Sequence, residues 1–245
     1  MPVRTRILAT VLLALALGCA LAGCVEKGEE PNADAIKSRL AAKYRFDPDE
    51  LALVEFTPRH TERSGIGVWF ETVPNPIPDC AKFRYRGTIV TVYGEHDDFL
   101  YDELVQATAG YLAARLGVEV AAVDVDGAIG EGEVTRISTG YATFLYNNDV
   151  SVVDERTVAS LLAQEGETTV YAEVDPDADV EAEVARIQDV LSTSDLSATD
   201  VDVRLFTSLA GVTTYREPTN WAMFDYYYIE GADYDRQVAR IEHIP

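Results

Sequence analysis

The chain has 245 residues, and 47% of them are apolar, which is enough to bury a sizeable core and excludes a disordered or fibrous protein. Twenty Lys and Arg stand against 42 Asp and Glu, a formal charge of −22. A field of that sign excludes nucleic acid, which is held by cationic contacts with phosphate. It favours cationic proteins or peptides, neutral glycans and metal cations, and it also serves plain solubility.

In chain order, Arg4 and Arg6 come first, followed by an apolar run from Ile7 to Leu17 that Ala20 to Ala22 continue. Positive region, apolar run and small residues stand in the order of a secretory signal peptide, and the run is too short to be matched to a membrane span. Leu21-Ala22-Gly23-Cys24 resembles the lipobox of bacterial lipoproteins. That resemblance implies that residues 1–23 are removed and that Cys24 becomes residue one, carrying a diacylglyceryl thioether. The protein would then sit on the outer face of the cytoplasmic membrane, in the periplasm if the cell has two membranes. Two acyl chains, at about 0.8 kcal/mol per buried methylene, suffice for stable anchoring without a transmembrane helix. An ordinary cleaved signal peptide and a retained first helix are the competing readings. Cys19 is a second candidate site, but it lacks leucine three residues upstream. Removing 23 of 245 residues leaves 222, and because both arginines and no acids go, the charge becomes −24. Cys80 is then the one remaining thiol, either buried or available for intermolecular pairing.

Residues 24–32 are polar and turn-prone and read as a short tether. Asn32 or Asp34 can cap a helix running to Tyr44, with Ile36, Leu40 and Tyr44 on one stripe, and Asp47-Pro48-Asp49 breaks it. Leu51 to Thr57 and Gly65 to Val73 read as strands joined by a charged loop around His60, and Pro74 to Pro78 as a stiff loop. A long strand through Phe83 and Val92 follows, its alternation breaking near Gly87 as at a bulge. Asp97 and Asp98 are placed to cap a helix from Phe99 to Leu116 that Gly117 stops, and Val118 to Val125 reads as a strand.

Gly127, Gly130 and Gly132 mark a boundary between a first half, residues 33–126, and a second, residues 133–245. The second half restarts with strands at Glu133 to Ser138, Tyr141 to Tyr146 and Val150 to Val153. A helix from Asp154 to Gln164 follows, then a strand from Thr168 to Val174. Next come a helix from Ala178 to Leu191, a strand from Val201 to Thr207 and an aromatic strand from Trp221 to Ile229, with Tyr234 to Ile244 open. The strand-helix-strand piece beginning at Thr168 has the length of a split ferredoxin-like unit. These elements predict an α+β protein, antiparallel sheets packed with helices, divisible into two small α+β subdomains. The opening order, a helix followed by antiparallel strands, loosely resembles cystatin-like and PepSY-like extracytoplasmic modules over roughly 90 residues, on element order alone.

Candidate sites are weighed against plainer roles. Gly94-Glu95-His96-Asp97-Asp98 sets a histidine among carboxylates, a site for a divalent cation or a base if the acids are not consumed as caps. Asp175, Asp177 and Asp179 alternate as in a calcium loop, but Val180 stands where the turn needs glycine, and Asp175 or Asp177 capping a helix with an acidic first turn accounts for the acids. Tyr226 and Tyr228 share one face of the aromatic strand, suited to stacking on a sugar or a peptide unless the strand is covered on both sides. Nucleophile elbows and phosphate-cradling glycine loops are absent from the sequence, and no cofactor is implied. The expectation is a lipid-anchored extracytoplasmic binding or interaction module for cationic or neutral ligands, with an extracytoplasmic hydrolase or metal-dependent enzyme as the alternative.

Overall fold

The computed structural model describes residues 32–64, 73–125, 136–138, 140–217 and 226–245. The predicted signal segment, nearly all of the predicted tether, the tip of the first predicted hairpin and the glycine-rich segment therefore lie outside the described residues.

Helix α1 (Ala33–Tyr44) starts where Asn32 Oδ1 accepts the Ala35 amide at 2.7 Å, and it ends at Arg45 in the left-handed region. Strand β1 (Leu51–Thr57) follows a single 3-10 turn closed by a capping box between Asp47 and Glu50. Strands β2 (His60–Ser64) and β3 (Val73–Ile77) pair antiparallel as a separate ribbon, so the predicted loops around His60 and Pro74 are strands instead. Proline is tolerated there because a two-stranded ribbon is all edge.

The long strand with a bulge is in fact a hairpin. Strands β4 (Cys80–Tyr85) and β5 (Thr88–Tyr93) are joined by Arg86 and Gly87, with φ of 47° and 97°. Two consecutive positive φ values make the tight turn whose twist suits a hairpin, and a broken alternation reads the same way in sequence as a bulge does. Strand β6 (His96–Asp97) completes an antiparallel sheet in the order β1-β4-β5-β6. Helix α1 lies on it, and Ile36, Leu40, Leu51, Ala81, Phe83, Val90 and Val92 form a small core.

Helix α2 (Tyr101–Leu116) is stopped by Gly117 at φ 65°, as the sequence indicates. Its N-cap is Leu100 with no side-chain cap; Asp97 and Asp98 are spent elsewhere. Strand β7 (Glu119–Val125) and the short β8 (Arg136–Ser138) precede α3 (Gly140–Asn147). Here a strand was expected over Tyr141 to Tyr146. The buried set is Tyr141, Ala142, Phe144 and Leu145, a helical rather than alternating pattern, and Val150 to Val153 form no strand. Residue 140 has to be glycine, because a Cβ there would stand 2.6 Å from the Val125 carbonyl oxygen.

Helix α4 (Glu155–Gln164) is capped by Asp154, and β9 (Thr168–Glu173), α5 (Val180–Thr193) and β10 (Val201–Phe206) follow. Strands β9 and β10 are parallel and directly adjacent, so the unit is a plain strand-helix-strand crossover with no strand between, not a split one. Strand β11 (Thr213–Glu217) pairs with β12 (Tyr226–Glu230), which also pairs with β8, and β13 (Gln237–His243) pairs with β10.

The second four-stranded sheet thus runs β13-β10-β9-β7, drawing on chain from both sides of the glycine-rich segment. Val123, Val170, Val203 and Ile241 align across it and bury with α2 and α5 in the larger core. Tyr44 and Phe99, stacked with ring centroids 4.3 Å apart, pack against both cores. The protein is α+β, with antiparallel sheets and one parallel pair under helices. Among the described residues, no helix is long and apolar enough to cross a membrane.

Candidate functional site

Helix α1 presents Arg39 and Lys43 one turn apart, on a face that meets the β5–β6 turn. That turn needs Gly94 at φ 62°, and its carbonyl accepts from Arg39 Nη2. Across from them, the C-terminal end of α3 brings up Tyr146 and Asn147, followed by Asn148 and Asp149. Between these walls lies a cleft of about 540 Å³.

Asp97 is its organising group, at 3% exposure. Oδ2 pairs with Lys43 Nζ at 3.1 Å, and Oδ1 accepts the Tyr44 hydroxyl at 2.6 Å and the Phe99 amide at 3.2 Å. Lys43 reaches on to Asp149 at 3.3 Å, and Tyr44 stands 3.3 Å from the Val150 carbonyl. Burial first, and the Asp97 charge second, push the Tyr44 hydroxyl far above its ordinary value, so it stays a donor. The loop after α3 is thereby latched to α1 through Lys43 and Tyr44, which Asp97 holds in place.

The three consecutive residues singled out in sequence have three destinations. His96 lies against the Tyr146 ring, centroids 4.1 Å apart at 35°. Asp97 holds Lys43 and Tyr44, while Asp98 accepts the Thr91 amide at 2.7 Å and ties β5 to the start of α2. Among the described residues, no three His, Cys, Asp or Glu side chains gather as a metal centre. The Asp175 loop is likewise local. Asp175 accepts the Asp177 amide at 2.8 Å in an Asx turn, whereas Asp179 caps α5 through the amides of Glu181 and Ala182. The cap is therefore Asp179, not Asp175 or Asp177, because the helix starts two residues later than its apolar pattern indicated. Strand β12 is the central member of its three-stranded sheet, with Tyr228 opposite Tyr215 and Ile137. The side chains of Tyr226 and Tyr228, and all of Trp221 to Asp225, lie outside the described residues. Cys80 is half-buried at the start of β4 and forms no disulfide among the described residues.

Arg39, Lys43, Tyr146 and Asn147 to Asp149 were not legible as a site. The only local signal was the spacing of Arg39 and Lys43 on one helix face; the asparagine pair reads simply as a turn. A second polar group was also hidden. On β10, Asp202 and Arg204 are 2% and 5% exposed, paired at 2.8 Å, with Arg240 Nε of β13 on the same carboxylate at 2.9 Å. Tyr171 and Tyr234 flank the Arg204 guanidinium. Arg240 also pairs with Glu242 at 2.8 Å, and the shared Asp202 carboxylate pins β13 to β10.

Comparison with protein-family models, with curated proteins and with solved structures yields no match. The cleft must be interpreted from its own chemistry.

Proposed function

We propose that this is a lipid-anchored extracytoplasmic binding module that takes a small neutral or cationic ligand in the cleft beside Asp97. The anchor rests on Leu21 to Cys24, and the ligand class on the acidic field together with the mixed lining. The observation that carries a binding rather than catalytic reading is the commitment of Asp97. Lys43, Tyr44 and the Phe99 amide take three of the roughly four lone-pair sites of its carboxylate, and the side chain is 3% exposed, so it serves as a post for the walls rather than as an accessible base. The cleft volume falls in the range of about 300–1,000 Å³ common to small-ligand sites.

The anchor is tested by metabolic labelling with an alkyne fatty acid, which should tag the wild type and spare Cys24→Ser; equal labelling would remove the anchor from the proposal. For the cleft, thermal shifts of the full-length chain in detergent micelles are measured with neutral oligosaccharides and polyamines. A ligand at 100 times its Kd adds about 2.7 kcal/mol of stability. Asn147→Trp, at an exposed position on the rim, should abolish the shift by filling the cleft.

A further inference from the structure

Resting on that interpretation of the cleft, we infer that its ligand is a neutral saccharide seated against the His96–Tyr146 ring pair. Charge decides first. Two cations, Arg39 and Lys43, face three acids, Glu95, Asp97 and Asp149, so these five side chains sum to −1, a small part of the −22 of the whole chain. Two of those acids already share Lys43, which leaves Glu95 alone to receive an ammonium group. An oligocation therefore gains little inside the cleft compared with the rest of the surface. An anion meets the acidic field of the whole molecule, which still acts at short range within a Debye length of about 8 Å.

The remaining groups suit hydroxyls. Arg39 and the Asn147 amide donate, and Glu95 and the amide oxygen accept, so both halves of a sugar hydroxyl find a partner. His96 and Tyr146, each half-buried, stack on one another, and the ring face turned away from the stack is the amphipathic surface offered to the C–H face of a pyranose, which neither a polyamine nor an inorganic ion needs. The latch through Lys43, Asp97 and Asp149 holds this platform opposite α1 without consuming Arg39, Glu95 or Asn147 in that latch.

Calorimetric titration of the full-length chain in micelles with chitotriose, maltotriose, cellotriose, spermidine and trigalacturonate tests the inference. At least one neutral trisaccharide should bind with Kd below about 1 mM. Tyr146→Ala should weaken it at least tenfold, equivalent to about 1.4 kcal/mol, and Tyr146→Phe, which keeps the ring, less than about threefold. Should Tyr146→Ala fail to fold, Asn147→Trp on the exposed rim should abolish trisaccharide binding instead. Spermidine or trigalacturonate binding that Asn147→Trp removes, without trisaccharide binding, overturns the saccharide assignment and leaves a binding cleft. Trisaccharide binding untouched by both Tyr146→Ala and Asn147→Trp overturns it as well. Silence of every probe overturns the inference and the binding cleft together.

Discussion

Tyr44 and Asp195 are single residues whose removal has a calculable sign. The Tyr44 hydroxyl donates to a buried carboxylate, and such a bond contributes about 1.5–3 kcal/mol. Tyr44→Phe should therefore lower stability by about 2 kcal/mol at neutral pH, read from denaturant midpoints. A phenol raised above its unfolded value of about 10 adds stability that is complete below that value and is lost as pH rises through the folded one. The wild type should lose that margin above about pH 10, and Tyr44→Phe should lack this part of the alkaline loss. Asp195 behaves oppositely. The Arg115 guanidinium, bonded to both its oxygens, and the Tyr111 hydroxyl hold it below the usual carboxylate range against the cost of burial. Its contribution is present above about pH 4 and is lost as pH falls through the lowered value. Because the carboxylate is half exposed, screening limits the effect to at most about 1 kcal/mol. The melting difference between wild type and Asp195→Asn should accordingly appear at pH 6 and close by about pH 2.

At the scale of elements, the start of α3 packs hard against the end of β7. Gly140→Ala drives a methyl into the Val125 backbone, which cannot swing aside as a side chain could. Overpacking of this kind costs about 1–3 kcal/mol, so a melting point within a degree of wild type would refute the close approach. How far elements were legible follows from where their signals reside. Helices α1, α2 and α4 were readable because Asn32, Gly117 and Asp154 mark their ends within the sequence. The β4–β5 hairpin was misread because its turn has Arg86 where asparagine or glycine is the usual sign of a positive φ. Helix α3 was misread because eight residues with two tyrosines and a phenylalanine satisfy strand preference, and burial on the β7 side overrides it. The cleft was legible only in part. His96 and Asp97 stood out as neighbours, whereas Lys43 and Asp149 meet through a fold that brings together positions far apart in sequence.

For the whole molecule, the proposed anchor and the net charge act against each other. With Cys24 lipidated as proposed, a domain of charge −24 would be held close to an anionic lipid surface that its own field opposes. Raising ionic strength should leave a lipid-held protein in the membrane fraction while detergent releases it, whereas a protein held by charge alone would wash off in salt. Fractionation in 1 M salt distinguishes the two, since the Debye length there falls to about 3 Å.

The two cores have unequal reserves. Among the described residues, seven buried ones from α1, β1, β4 and β5 make the smaller core, whose sheet shares no strand ladder with the larger sheet, and Tyr44 and Phe99 pack against both cores. Native-state hydrogen exchange should therefore resolve two tiers of opening. Amides of Phe83, Val90 and Val92 should exchange through a partial unfolding of lower free energy, while those of Val170 and Val203 wait for the global one. Coincident exchange isotherms for the two groups would instead mark a single cooperative unit, with the Tyr44–Phe99 contact strong enough to fuse the two sheets energetically.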